Sequence, residues 1–176
     1  MCAVFFHVRD LEVRAGRFDV ELPSGAIEYL DPKLRQIGVL KAAGKVELVT
    51  GALGEIRVQG HVTVEMRADC DRCLEPAPLP LDADFELYYR PVDTAFQEEK
   101  ALDAGEAEMG FYEGDGIELN DVLREYVLLA LPMQRLCSED CKGICPVCGQ
   151  NRNQKECGCR MEPVDDRWAA LKQFHH

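Results

Sequence analysis

The chain of 176 residues lacks the features that mark membrane and secreted proteins. No apolar run approaches the roughly 18 residues that span a bilayer, and the longest is the stretch YVLLAL before Pro132. The N-terminal sequence MCAVFFHVRDLEV has no basic segment followed by an apolar run, so we expect no secretory signal. We therefore expect a soluble protein of the reducing cytoplasm that has no membrane partner.

The chain also lacks the sequence motifs of common enzymes. It has no nucleophile elbow, no dinucleotide fingerprint and no phosphate loop, and its four histidines are scattered or terminal. These absences predict a non-enzymatic protein with no small-molecule substrate. One enzymatic alternative is a thiol oxidoreductase that uses Cys70 and Cys73. Such a motif begins a helix, whereas Pro76, Pro78 and Pro80 follow here and disfavour one.

Basic residues are scarce, because 20 Lys and Arg stand against 32 Asp and Glu, which gives a formal charge of −12. The imbalance is concentrated in residues 82–125, which carry 14 acidic and 3 basic side chains. A surface of this charge repels phosphate backbones and attracts a basic protein, although an acidic run can also be a merely solvated face.

Cysteine, in contrast, is abundant. Six of the nine cysteines lie in the last 40 residues, in the string LCSEDCKGICPVCGQNRNQKECGC. Thiolates are preferred zinc ligands, and Pro146 and Gly149 suit the turn that brings a Cys-x2-Cys pair onto one ion. The sequence therefore predicts a zinc-binding tail in which the metal is structural.

Eight cysteines form pairs with ligand spacing, and two arrangements follow. In the first, the primary zinc site is Cys145, Cys148, Cys157 and Cys159, and a possible second site, which staples the tail to the sheet, comprises Cys70, Cys73, Cys137 and Cys141. In the second, one zinc ion takes four of the tail thiolates, and Cys70 and Cys73 remain a free pair. Among the tail combinations we favour the primary site named above. Disulfides are an alternative, and so is an iron–sulfur site at Cys141-x3-Cys145-x2-Cys148.

The hydrophobic pattern predicts an α+β fold, mainly an antiparallel sheet or partly closed barrel with one or two packed helices and the zinc-binding tail. Residues 1–132 form the β-rich domain, and residues 133–176 form the tail with a short terminal helix.

Alternation at Ile56, Val58, Val62, Val64 and Met66 predicts a long strand, in which Gly60 indicates a bulge or bend. We expect FELYY, which ends at Tyr89, to pair with it across the loop that contains Cys70 and Cys73. An acidic surface loop is expected at 91–116, followed by a helix at 120–131 with Asn120 as its cap and Pro132 as its stop.

Three cations are candidates for contact with RNA or a partner, namely Arg72, Lys142 and Arg152. Arg72 can alternatively pair with Asp69, Asp71 or Glu75. Asn151 and Asn153 are expected to shape the turn through bonds from side chain to backbone.

The order of these motifs resembles the YceD family of large ribosomal RNA subunit accumulation proteins. The resemblance runs from about residue 45 to 172, through DCDRCLEP (69–76), the acidic loop, IELNDVLREYVLLALP (117–132), LCSEDCKGICPVCGQNRN, the closing Cys-Gly-Cys and DDRWAAL. Residues 1–44 fit the family only loosely.

The resemblance implies a non-enzymatic factor of bacteria and plastids that supports accumulation or processing of the large-subunit (23S) ribosomal RNA. In this family the gene often adjoins that of a small, basic, zinc-binding ribosomal protein. The implied partner is such a protein or a large-subunit precursor, with limited contact to ribosomal RNA. A generic zinc-stabilised adaptor remains the alternative.

Overall fold

The computed structural model of the chain describes residues 4–51, 54–92 and 109–159. The architecture is α+β, as the sequence predicts. No helix in this part of the chain is long and apolar enough to cross a membrane. In chain order the elements are β1 (Phe5–His7), α1 (Val8–Val13), β2 (Gly16–Leu22), β3 (Arg35–Leu48), β4 (Ile56–Asp69), β5 (Pro76–Pro91), β6 (Gly110–Tyr112), β7 (Gly116–Glu118) and α2 (Leu119–Ala130).

The strands form a five-stranded sheet in the order β2-β3-β4-β5-β6 and a separate two-stranded sheet of β1 and β7. All pairs are antiparallel except β5 and β6, which are parallel. The prediction of a partly closed barrel is wrong, because the sheet is open and β2 and β6 lie at its opposite edges. Barrel closure needs long tilted strands at both edges, whereas β6 has only three residues.

Strands β4 and β5 form the long hairpin that the sequence predicts. Their register runs from Ile56 opposite Tyr89 to Asp69 opposite Pro76, and residues 70–75 form the connection. One face of β4 enters the core, as the period-two alternation requires. The predicted apolar set of this strand is buried in full: Ile56, Val58, Val62, Val64 and Met66.

Gly60 does not mark a bulge, so that part of the prediction is wrong. Its pairing is continuous with Gly44 on one side and Phe85 on the other, and the register shift lies in β3, between Ile37 and Lys41. A Cβ atom on Gly60 would lie 3.1 Å from the ring of Phe18. Glycine is therefore required here by close packing within a regular strand.

Helix α2 packs its apolar stripe into the core through Leu119, Val122, Leu123 and Val127. It begins one residue before the predicted cap, and its N-cap residue, Glu118, makes no hydrogen bond through its side chain. The N–H group of Leu119 instead donates to the carbonyl oxygen of Val4 at 2.9 Å, so that the residue before β1 satisfies a donor at the helix start. The helix ends before Pro132, as predicted.

Other differences concern short segments. Helix α1 was not predicted, because six residues with only Leu11 buried give too weak a periodicity. Part of the predicted loop at 91–116 forms strand β6 and the start of β7. The rest of that loop, from 93 to 108, and the predicted terminal helix lie outside the described residues.

Candidate metal centres

The first Cys-x2-Cys loop is the turn of the β4–β5 hairpin. The N–H group of Cys70 donates to the carbonyl oxygen of Glu75 at 2.8 Å, and that of Leu74 donates to the carbonyl oxygen of Cys70 at 2.9 Å. Leu74 lies in the left-handed region at φ 63°, which is uncommon for a leucine. This backbone aims both sulfurs toward the inside of the turn, where Cys70 and Cys73 are buried.

The second Cys-x2-Cys loop repeats this backbone geometry in the tail. The N–H group of Cys145 donates to the carbonyl oxygen of Gln150 at 2.8 Å, and that of Gly149 donates to the carbonyl oxygen of Cys145 at 2.8 Å. Gly149 has φ 74°. The two loops therefore share both hydrogen bonds and the left-handed residue after the second cysteine.

The first four-cysteine cluster, cluster 1, joins the hairpin turn to the start of the tail. It consists of Cys70, Cys73, Cys137 and Cys141, whose sulfurs all lie within 4.8 Å of one another. Cys73 Sγ lies 3.6 Å from Cys137 Sγ, and Cys70 Sγ lies 3.8 Å from Cys141 Sγ. A tetrahedron with zinc–sulfur bonds of about 2.3 Å places its sulfurs about 3.8 Å apart. Cluster 1 thus has the dimensions to hold one zinc ion.

The second cluster, cluster 2, lies wholly in the tail. It consists of Cys145, Cys148, Cys157 and Cys159, and the four sulfurs again lie within 4.8 Å of one another. Cys145 is buried, whereas Cys148 and Cys159 are exposed. Cluster 2 therefore lies nearer to solvent than cluster 1, in which Cys70, Cys73 and Cys141 are buried.

The first cysteine of each loop is set up to carry negative charge. For Cys70, burial raises the pKa of the thiol, but the backbone N–H groups of Cys137, Arg72 and Cys73 donate to the sulfur and lower its pKa to about 6. For Cys145, the N–H groups of Cys148 and Val147, at the same positions in the second loop, lower the pKa to about 6. Because the thiolate is the form that binds metal, these N–H groups favour the binding state.

Asn153, which lies in the sequence between Cys148 and Cys157 of cluster 2, makes hydrogen bonds at cluster 1. Its amide donates to Cys141 Sγ at 3.3 Å, and its side-chain oxygen accepts from the N–H group of Lys142 at 2.7 Å. Asn151 in turn accepts from the N–H group of Asn153 at 2.9 Å. The prediction that both asparagines shape the turn is confirmed. Sequence reasoning did not identify the bond to the sulfur, because it joins residues on different loops.

The tail is also tied to the hairpin turn and to the β2–β3 connection. The N–H group of Arg135 donates to the Asp71 carboxylate at 2.7 Å, and its guanidinium pairs with Asp31. Glu75 accepts from Asn151 at 3.4 Å and from Gln154 at 3.1 Å. These contacts fix the tail beside cluster 1.

The three candidate cations occupy different surroundings. Arg72 pairs with none of the carboxylates considered for it, and its guanidinium instead donates to the carbonyl oxygen of Cys141 at 3.1 Å. Lys142 and Arg152 line one cavity of about 410 Å³ with Glu156, whose carboxylate lies 3.5 Å from Lys142 Nζ. The structure thus brings Lys142 and Arg152 together and gives Arg72 a structural contact.

The other cysteine arrangements do not match the geometry. All eight described cysteines are free, and sulfur separations of 3.6–3.8 Å far exceed the disulfide length of about 2.05 Å. The three cysteines with iron–sulfur spacing do not share one site, because Cys141 lies in cluster 1 while Cys145 and Cys148 lie in cluster 2. Cys70 and Cys73 are not a free pair, since Cys137 and Cys141 lie beside them.

Comparison with known proteins places most of the chain in one family. A family model described as "Large ribosomal RNA subunit accumulation protein YceD" matches residues 58–175, a range that includes both clusters and α2. No solved structure matches the chain significantly.

Three relatives illustrate the breadth of the similarity. An uncharacterised protein of Mycobacterium tuberculosis is 32% identical over 119 residues, which cover 68% of this chain and 55% of that protein. The chloroplastic large ribosomal RNA subunit accumulation protein YCED homolog 1 of Zea mays is 30% identical over 142 residues, covering 66% of this chain and 48% of that protein. The uncharacterised protein YlbN of Bacillus subtilis is 23% identical and covers 96% of this chain and 93% of that protein.

The chain spans about half the length of the first two relatives. Because the family model covers most of its residues, the chain belongs to the YceD family of large ribosomal RNA subunit accumulation proteins.

Proposed function

We propose that this protein is a non-enzymatic factor that supports accumulation or processing of the large-subunit (23S) ribosomal RNA in the cytoplasm. The observation that carries the proposal is the family match over residues 58–175, which includes both cysteine clusters and helix α2. The name of the maize relative supports the same process for that protein.

We further propose that each cluster holds one zinc ion. Four thiolates satisfy the tetrahedral coordination that zinc prefers, so an ion in either cluster has no remaining position for water or substrate. Zinc bound in this way folds the chain and does not catalyse. Within the described part of the tail, residues 133–159, few apolar residues are buried, and in small zinc modules metal binding contributes roughly 10–16 kcal/mol to folding.

The partner in this proposal is a small basic ribosomal protein or a large-subunit precursor. The support is electrostatic, because residues 82–125 hold 14 acidic and 3 basic side chains. Such a surface attracts cationic proteins and disfavours nucleic acid. Limited contact with ribosomal RNA is proposed only for the cavity with Lys142 and Arg152. Affinity at that cavity should fall steeply with salt if phosphates are bound.

The alternative of a thiol oxidoreductase has little support in the geometry. The exposed fractions of Cys70 and Cys73 are 0% and 4%, so a substrate disulfide has no access to either sulfur. The chain after Cys73 continues into strand β5 and not into a helix, which such motifs use to activate the thiolate. A generic adaptor with no ribosomal role is distinguished only by experiment.

The test is to deplete the protein in its host and to measure the sucrose-gradient profile of ribosomal subunits together with large-subunit RNA. We expect a deficit of large subunits and an excess of free small subunits, both corrected by the wild-type chain. A normal profile with normal large-subunit RNA would reject the ribosomal role and favour the adaptor.

A further inference from the structure

A groove of about 530 Å³ lies on the side of the molecule that carries strands β1, β6 and β7 and helix α2. Its walls come from distant parts of the chain: Phe5 belongs to β1, Phe111 to β6 and Asp121 to α2. Leu30, in the connection between β2 and β3, completes the lining. The groove is separate from both cysteine clusters, since none of its lining residues is a cysteine.

Large apolar side chains in this groove remain open to solvent. The exposed fraction is 42% for Phe5, 59% for Phe111 and 80% for Leu30. Single exposed apolar residues are ordinary, but three that line one concave surface form a patch suited to an apolar side chain of a partner. Aromatic rings are also the side chains that contribute most to interfaces.

The polar lining of the groove is strongly acidic. Four carboxylates and one guanidinium line it, a net charge of −3, and they belong to Glu113, Glu118, Asp121, Glu125 and Arg124. Arg124 pairs with Asp121 at 2.9 Å, and Glu125 accepts a hydrogen bond from the Tyr89 hydroxyl at 2.8 Å.

The other two carboxylates, those of Glu113 and Glu118, have no ion-pair or hydrogen-bond partner among the residues that the structure describes. Two unneutralised carboxylates beside exposed aromatic rings attract a ligand that is both cationic and apolar. Phosphate and lipid headgroups that carry negative charge are repelled.

We infer that this groove binds a Lys/Arg-rich segment of a protein partner in which cations alternate with large apolar side chains. The apolar side chains pack on Phe5 and Phe111, while Lys or Arg side chains pair with Glu113 and Glu118. The inference rests on the proposed function and deepens it, because it names the surface that the basic partner occupies and the chemistry of the segment bound.

The test uses the full-length, zinc-loaded protein and a fluorescent synthetic peptide of alternating lysine and leucine. The matching glutamate–leucine peptide is the control probe, and affinity is measured by fluorescence anisotropy at physiological salt. We expect the lysine peptide to bind and the glutamate peptide not to bind. Glu113→Gln with Glu118→Gln should weaken binding at least tenfold, which corresponds to about 1.4 kcal/mol.

Two further variants separate a local site from the general charge of the protein. Phe111→Ala removes an exposed ring without changing charge, and we expect it to weaken binding at least fivefold. Asp19→Asn with Glu65→Gln makes the same charge change on exposed positions of β2 and β4, and should alter affinity less than twofold. Equal losses in the two double variants, or unchanged affinity in Phe111→Ala, would overturn the inference. The inference would also be overturned if a single-stranded RNA oligonucleotide bound the protein and Phe111→Ala weakened that binding.

The same variants distinguish failure of this inference from failure of the proposed function. In depleted cells, the triple variant with Phe111→Ala, Glu113→Gln and Glu118→Gln should fail to restore large subunits although it folds and accumulates normally. Full restoration would overturn the groove as the partner site and leave the ribosomal role intact. A normal profile on depletion of the wild-type protein would instead reject the ribosomal role, whatever the peptide measurement gives.

Discussion

Leu74 and Gly149 hold the same position in two loops of the same backbone geometry, directly after the second cysteine of each Cys-x2-Cys pair. Their φ angles are 63° and 74°. The N–H group of each donates to the carbonyl oxygen of the first cysteine of its loop, at 2.9 Å for Leu74 and 2.8 Å for Gly149. One loop carries glycine, which adopts this conformation without strain, and the other carries leucine, which does not.

This equivalence predicts opposite effects of substitution at the two positions. Gly149→Ala should destabilise the zinc-loaded protein by about 1 kcal/mol, because a Cβ atom disfavours positive φ. An added Cβ meets nothing within 4 Å there, so backbone strain is the only cost. Leu74→Gly should stabilise by up to about 1 kcal/mol, since the leucine side chain is 66% exposed and little packing is lost. Denaturant unfolding measures both. Stabilisation by Gly149→Ala would show that the left-handed turn does not form.

Loss of one thiolate should disorder the tail selectively. Cys148→Ser removes an exposed ligand from cluster 2 and should reduce zinc content from two ions per chain to one. Protease cleavage should increase within residues 142–159, while the strands retain their circular dichroism. Val147→Ala, a neighbouring exposed position, is the control and should change neither quantity.

Cys141→Ser should act on a larger region, because cluster 1 joins the tail to the β4–β5 turn. Cleavage should then begin nearer to residue 133. Unchanged protease resistance after residue 137 in Cys148→Ser would contradict the role of cluster 2, and full zinc content in both variants would contradict both sites.

Gly60→Ala should destabilise the sheet by roughly 1–3 kcal/mol through overpacking. The added methyl group would lie 2.5 Å from the Ala43 carbonyl oxygen and 3.1 Å from the Phe18 ring, so that strand pairing or the core must shift. Gln59→Ala on the same strand serves as the control and should cost less than about 0.5 kcal/mol. Thermal unfolding compares the two. Equal stability of both variants would mean that the strands do not approach so closely.

His61 should titrate above its ordinary pKa of 6.5. The hydrogen bond between its Nδ1 and Asp84, 2.8 Å long, is the largest cause of the raised pKa, and the charge of Asp82 near Nε2 adds to it. Because the folded-state pKa is raised, the contribution of this pair to stability is present in full below about pH 6.5 and is lost as the pH rises through the folded-state value.

The measurement for His61 is a titration of its ring proton resonances at low salt. Asp84→Asn should lower the pKa more than Asp82→Asn does. A wild-type pKa at or below 6.5 would show that the exposed carboxylates do not hold the ring in solution.

Local patterns predict the parts of this protein that neighbouring residues determine. The alternation from Ile56 to Met66 predicts a strand with one buried face, and the apolar stripe of Val122, Leu123 and Val127 predicts a helix that stops before Pro132. In both, side-chain periodicity follows from the backbone geometry of a single element.

Cysteine spacing is equally local. It predicts that Cys145 and Cys148 form a pair on one loop, because two residues between them leave little choice of geometry. The same spacing at Cys70 and Cys73 predicts a second pair, but not that its loop repeats the left-handed turn, since leucine stands at 74 where the other loop has glycine.

The sequence by itself therefore determined the α+β class, the β4–β5 hairpin, helix α2 and the pairing of cysteines within each loop. Only the tertiary structure decided that Cys70 and Cys73 share a cluster with Cys137 and Cys141 and are not a free pair, because Cys70 and Cys141 are 71 residues apart and meet through the docking of the tail on the hairpin turn. It also decided that the sheet stays open, since three-residue β6 leaves one edge unclosed, and it formed the acidic groove from Phe5, Phe111 and α2. Contacts of that kind depend on how whole elements pack, which no local spacing encodes.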